Sequence, residues 1–237
     1  MSILSSRLPP PEEFTLEQRV SAHVNGRNRI LDSGLEGCHS KDTLAYLEKV
    51  LSESDFKDQM QPVLIQIKRC LKWSKKLFKN DLDTVCKEIV TALTKLGNEG
   101  SVLLPGGWRG DPYGHAMHYE IKKTGNTFQF RVINLGSGSN NHPNLSDDTK
   151  DKRLLCITYK EIPGEEIFYG KEGTSFFRLL MGLQATQQRA DFDPNLIYRG
   201  ILKPLSAYRD DTGSNNLWVT SSRAGLCSWD AIMGYLR

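Results

Sequence analysis

Ser101–His142, SVLLPGGWRGDPYGHAMHYEIKKTGNTFQFRVINLGSGSNNH, decides the fold, because it spells a hairpin held between two glycine-rich loops. Side chains alternate across a strand. One face of the first strand therefore collects His115, Met117, Tyr119 and Ile121, and one face of the second collects Phe128, Phe130, Val132 and Asn134. A two-residue turn at Gly125-Asn126 is a hairpin signal. Closing the strands there pairs Ile121 with Phe130, Tyr119 with Val132 and Met117 with Asn134, so turn and apolar pattern agree on one register. Glu120 then opposes Arg131 on the other face, a favourable cross-strand pair. His115 falls opposite Gly136 and diagonal to Asn134. Diagonal neighbours lie roughly 7–8 Å apart, within reach of long side chains. The histidine and the asparagine are therefore expected to meet on the buried face.

Working outward, residues 1–14 include Pro9, Pro10 and Pro11 and read as an extended tail. Residues 15–98 read as a helical region for recognising a substrate or partner. It starts with a Thr15/Gln18 capping box and continues through Leu44, Leu47, Val50 and Leu51. Pro62 suits the first turn of a helix carrying Val63, Ile67, Cys70, Leu71 and Phe78. Asp81 is placed to cap a further helix with Leu82, Val85, Ile89, Leu93 and Leu96, stopped by Gly97. Lys68, Arg69, Lys72, Lys75, Lys76 and Lys79 form either a solvated helix face or a docking surface for an acidic partner. Beyond the hairpin, Leu154–Tyr159 reads as a central strand, Ser175–Leu183 as a buried helix, and Asp193-Pro194 as the start of a helix through Ile197 and Ile201. Leu217–Thr220 reads as a short strand. Leu226, Trp229, Ile232, Met233 and Leu236 then recur at helical spacing, with Cys227 in the first turn.

The chain has 237 residues, 38% hydrophobic and 25% charged, as a soluble globular protein does. A net charge of +3 argues against nucleic acid as the main partner. No apolar run approaches the roughly 20 residues that span a bilayer, so no membrane partner is expected. The 5 cysteines lack CxxC spacing and no secretory leader is evident, which implies free thiols and a cytosolic setting. His115 and His118 would point to opposite faces of one strand, which makes them poor co-ligands. Gly136-Ser137-Gly138 lacks the rest of a phosphate loop. Neither a metal nor a cofactor is expected. Arg109-Gly110-Asp111 spells an adhesion tripeptide by chance, and Trp108 is the tryptophan expected to be partly exposed.

A helix N-terminus favours thiolate over thiol, and a thiolate beside a histidine is an activated nucleophile that needs a third group to orient the ring. Cys227, His115 and Asn134 are expected to be nucleophile, base and orienter. Small residues before Cys227 leave room for a substrate carbonyl, with backbone amides at the helix start for its oxyanion. Gly107, Trp108, Gly136, Ser221, Ser222 and Trp229 are expected to line the substrate site. Three functions fit: a hydrolase, an acyltransferase, deamidase or transglutaminase on the same residues, or a catalytically inactive module that binds a host protein.

The string AGLCSWDA, Ala224–Ala231, resembles the nucleophile segment of papain-like cysteine proteases. The order His, Asn, Cys is instead similar to that of ubiquitin-like-protein proteases. The block PGGWRGDPYGHAMHYE…FRVINLGSG…GLCSW also resembles segments of bacterial effector proteins of intracellular pathogens. The resemblance covers about Leu103–Arg237. It implies an α+β fold in which residues 99–237 form a papain-like lobe, its antiparallel sheet packed on the helix that carries Cys227. It further implies a Cys227–His115–Asn134 triad, Trp108 as a lid over a Gly-Gly tail, and ubiquitin or a ubiquitin-like protein as substrate. An effector of this kind would reach the host cytosol without a cleaved signal peptide. Such proteases carry a glutamine about five or six residues before the cysteine as an oxyanion donor, where this chain has Ser221 and Ser222. The lobe also ends soon after Cys227, as a fragment of a longer polypeptide would.

Overall fold

The hairpin lies at the middle of the sheet. A computed structural model describes residues 40–55, 57–110, 114–134, 136–143, 152–189, 191–211 and 218–220. Three helices come first: α1 (Ser40–Glu53), α2 (Gln61–Phe78) and α3 (Leu82–Thr94). Strands β1 (Ser101–Gly110), β2 (His115–Thr124) and β3 (Thr127–Ile133) follow, then β4 (Lys152–Leu154) and β5 (Cys156–Pro163). Helix α4 (Ser175–Ala185), β6 (Gln187–Gln188), a π-helical stretch Leu196–Ile201, a 3-10 stretch Lys203–Tyr208, β7 (Arg209–Asp210) and β8 (Trp218–Thr220) complete the order. The fold is α+β.

Strand order in the main sheet is β6-β1-β2-β3-β5-β7, and β4 and β8 form a separate two-stranded ribbon. The β2–β3 register pairs Ile121 with Phe130, Tyr119 with Val132 and Glu120 with Arg131, and the Glu120–Arg131 ion pair closes at 2.8 Å. Gly125, first of the two turn residues, takes φ 60°, which glycine adopts without steric cost. The sheet was expected to be antiparallel and is mixed, because β6 joins β1 in parallel at Arg109 and Gly110. The strand expected at Leu154 starts at Cys156 and runs to Pro163. In it Glu161, at φ 56°, takes up the register shift against Phe128 and Phe130.

One face of the sheet carries Val102, Leu104, Met117, Tyr119, Ile121, Phe128, Phe130 and Val132 into a core shared with Trp73 and Leu77 of α2, Val85, Cys86, Ile89 and Leu93 of α3, and Phe176, Phe177 and Leu180 of α4. Leu103 points the other way, into a second cluster with Leu44, Leu47 and Leu51 of α1 and Leu64, Ile67, Cys70 and Leu71 of α2. Helix α2 therefore contributes to both clusters around β1. Phe78, the last residue of that helix, is 38% exposed, next to the buried Leu77. The Lys41 ammonium and the Arg109 guanidinium lie 4.9 and 4.6 Å from its ring centre. Asp81 occupies the N-cap position of α3, yet its side chain makes no cap hydrogen bond. The Thr15/Gln18 box lies outside the described residues.

The basic stretch of α2 is partly neutralised. Lys72 and Lys76 both reach Glu88 of α3, at 3.1 and 2.6 Å, and the Trp73 indole donates to the same carboxylate at 3.0 Å. Burial pushes the Glu88 carboxyl up, and the hydrogen bonds from Lys76, Lys72 and Trp73 outweigh it, so the group ionises below its ordinary range. No helix among the described residues is long and apolar enough to cross a membrane.

Candidate functional site

His115 opens β2 and Asn134 directly follows β3, at the end of the hairpin away from the turn. His118 pairs with Ile133, and continuing that register sets Gly136 opposite His115. The two side chains meet as the register implies: His115 Nε2 lies 2.8 Å from Asn134 Oδ1, with His115 only 7% and Asn134 0% exposed.

The direction of that hydrogen bond is fixed by the other partners of the amide. Asn134 Nδ2 donates to the Ser137 carbonyl at 2.9 Å and to the Tyr198 hydroxyl at 2.8 Å, while Asn134 Oδ1 also accepts from the Gly136 N–H at 3.0 Å. The atom facing the ring is therefore an acceptor, and Nε2 of His115 carries the hydrogen. In the neutral imidazole the bare nitrogen is then Nδ1. Burial lowers the His115 pKa from its ordinary value, and the bond to Asn134 offsets part of that shift. The ring is held neutral, in one tautomer, with one nitrogen able to accept a proton.

Glycines allow the ring to sit where it does. A Cβ on Gly136 would lie 2.4 Å from His115 Cε1, and a Cβ on Gly107, at φ 95°, would lie 2.0 Å from the His115 carbonyl oxygen. Both residues, expected to face substrate, pack against the histidine. Trp108 pairs with His115 across β1–β2, their ring centres 4.9 Å apart. Expected to be partly exposed, it is 7% exposed, because Phe192 lies against it with centres 5.0 Å apart.

Behind Asn134 lies a polar chain that the sequence did not suggest. Tyr198 OH is 3.2 Å from His142 Nε2, and His142 Nδ1 is 2.8 Å from the Leu154 carbonyl. Both nitrogens of His142 are thus engaged, and burial lowers its pKa to about 4. No group of three or more His, Cys, Asp or Glu side chains among the described residues could hold a metal ion. Tyr198 follows Asn134 by 64 residues, and no spacing rule links a π-helical tyrosine to a strand-end amide.

His118 points to the opposite face from His115, is 0% exposed, and finds no hydrogen-bond partner for either ring nitrogen among the described residues. Cys227, Ser221, Ser222 and Trp229 lie outside the described residues. The last described residue is Thr220 of β8, whose partner β4 includes the Leu154 that serves His142. Compared with models of known protein families, with curated proteins and with solved structures, the chain finds no match.

Proposed function

We propose that the chain is a cysteine hydrolase of papain-like type, acting on peptide or isopeptide bonds of a protein substrate such as a ubiquitin-like modifier. One observation carries the reading: the 2.8 Å bond between His115 Nε2 and Asn134 Oδ1, whose direction leaves Nδ1 as the basic nitrogen. A general base must be neutral, correctly tautomerised and held in place before the nucleophile arrives. His115 meets all three conditions without a carboxylate.

In this mechanism His115 Nδ1 takes the thiol proton of Cys227, and the thiolate adds to the scissile carbonyl carbon. The protonated ring then donates that proton to the leaving amine, which departs as the thioester forms. Water, deprotonated by the same nitrogen, adds to the thioester and releases the acid and the thiol. Asn134 keeps its hydrogen bond to Nε2 throughout and stabilises the imidazolium in between. The buried, neutral state of the free ring means that this imidazolium is favoured only when a thiolate or oxyanion lies beside it.

Propargylamide probes built on ubiquitin and on ubiquitin-like proteins test the reading. A covalent adduct is expected with at least one of them, lost in Cys227→Ala and in His115→Ala. No adduct with any probe, together with an ordinary titration of the Cys227 thiol near about 8.5, would remove it.

A further inference from the structure

We propose that Tyr198, backed by His142, is a positioning residue that sets the tautomer of His115 by holding the Asn134 amide in one orientation. The proposal rests on His115 acting as the base. An asparagine amide has nearly the same shape either way round, and only its hydrogen-bond partners distinguish the two orientations. Turned over, it would present N–H groups to Nε2, demand a bare nitrogen there, and move the hydrogen of the ring to Nδ1, where a proton must be accepted.

Three partners oppose that turn. Two of them, the Gly136 N–H and the Ser137 carbonyl, belong to the loop that Asn134 itself begins, and Gly138 at φ 85° shows how much of that loop depends on glycine. Both lie within three residues of Asn134 along the chain. Tyr198 comes from a separate segment and is buried, and its ring packs on Gly138, where an added Cβ would lie 3.1 Å from Cε2. It is the anchor from outside the loop.

The direction of the chain behind it is also determined. The Leu154 carbonyl only accepts, so His142 Nδ1 carries hydrogen and its Nε2 is bare in the neutral ring. That bare nitrogen accepts the Tyr198 hydroxyl hydrogen. The Tyr198 oxygen is thereby left to accept from Asn134 Nδ2, and Asn134 Oδ1 to accept from His115. Every link runs the same way, from His115 to a backbone carbonyl. Burial pushes the Tyr198 phenol up and the His142 imidazole down, so both links stay neutral near pH 7.

Nitrogen-15 shifts of the His115 ring in the full chain read this directly. The parent protein is expected to show Nε2 protonated and Nδ1 bare. In Tyr198→Phe the Nδ1-protonated form is expected to gain population, and the rate of adduct formation with the propargylamide probe to fall about fivefold, the weight of one hydrogen bond. Should Tyr198→Phe not fold, His142→Phe removes the acceptor of the Tyr198 hydrogen and is read in the same way. Unchanged His115 ring-nitrogen shifts in the variant that folds would overturn the proposal. If the parent forms no adduct and its Cys227 thiol titrates ordinarily, the hydrolase reading fails, while the nitrogen shifts still decide whether Tyr198 sets the tautomer.

Discussion

Asn134 has more engaged hydrogen-bonding capacity than a buried amide needs merely to be tolerated: two N–H groups donated and one oxygen shared between a ring and a backbone N–H. Its replacement by alanine is expected to lower the His115 pKa further, because the lost hydrogen bond is the contribution that raises it. Titration of the His115 ring by NMR checks this, and an upward shift would contradict it. Gly136 acts sterically. Gly136→Ala forces the imidazole away from a position 2.4 Å from the new methyl group. A stability loss of about 1–3 kcal/mol from overpacking is expected. A displacement of about 1 Å costs roughly a hundredfold in rate, so probe labelling should suffer far more than the melting temperature. The His115–Asn134 contact was legible because strand alternation, a Gly-Asn turn and apolar pairing all fix one register. Tyr198 and His142 were not, since their approach depends on how a π-helical stretch and a loop fold back over the strand ends. The expectation that Trp108 would be partly exposed failed for a similar reason: Phe192, its cover, is distant in sequence and sits outside any strand or helix.

At the level of elements, the open edge of β1 is the feature most in need of explanation. An unpaired edge invites another chain to add to it. Here Gln66 of α2 substitutes for a strand: its Nε2 donates to the Ser101 carbonyl at 2.7 Å, and its Oε1 accepts from the Leu103 N–H at 3.3 Å. Pro105, two residues on, has its nitrogen on the same outward side, so its missing N–H costs the β1–β2 ladder nothing. Gln184 of α4 donates to the Gly106 carbonyl, and β6 pairs with Arg109 and Gly110. Side chains and one short strand thereby engage Ser101, Leu103, Gly106, Arg109 and Gly110 along β1. Gln66→Ala is expected to cost about 1–3 kcal/mol through two unpaired backbone groups, and to make the protein associate at high concentration. Urea unfolding measures the first effect and light scattering the second; unchanged values for both would show that water replaces the amide without penalty. The helix periods of α1–α3 were readable, but nothing in a period marks Gln66 as an edge cover.

Across the molecule, three buried histidines make stability depend on acid. Burial lowers the pKa of His118 to about 3 and that of His142 to about 4, and holds His115 below its ordinary value. In the unfolded chain each titrates near about 6.5. Their contribution is therefore complete above that pH and is lost as pH falls, by ~1.4 kcal/mol per pH unit for each ring until its folded pKa is reached. Urea midpoints at pH 7, 6 and 5 should decline accordingly. His118, with neither nitrogen partnered, makes the sharpest case. His118→Leu is expected to flatten the decline by one ring's share and to stabilise the fold by about 1–2 kcal/mol at pH 5. A slope identical to the parent's would mean that His118 has a proton acceptor in solution.

The core that joins Trp73, Leu77, Val85 and Ile89 to Val102, Tyr119 and Phe130 has a practical corollary. Removing residues 40–94 would leave much of the apolar face of the sheet as wet hydrocarbon, covered only by α4, and the remnant would be expected to precipitate. A chain cut in the exposed connection between Thr94 and Ser101 should accordingly still run as one species on gel filtration, its two pieces held together by this core.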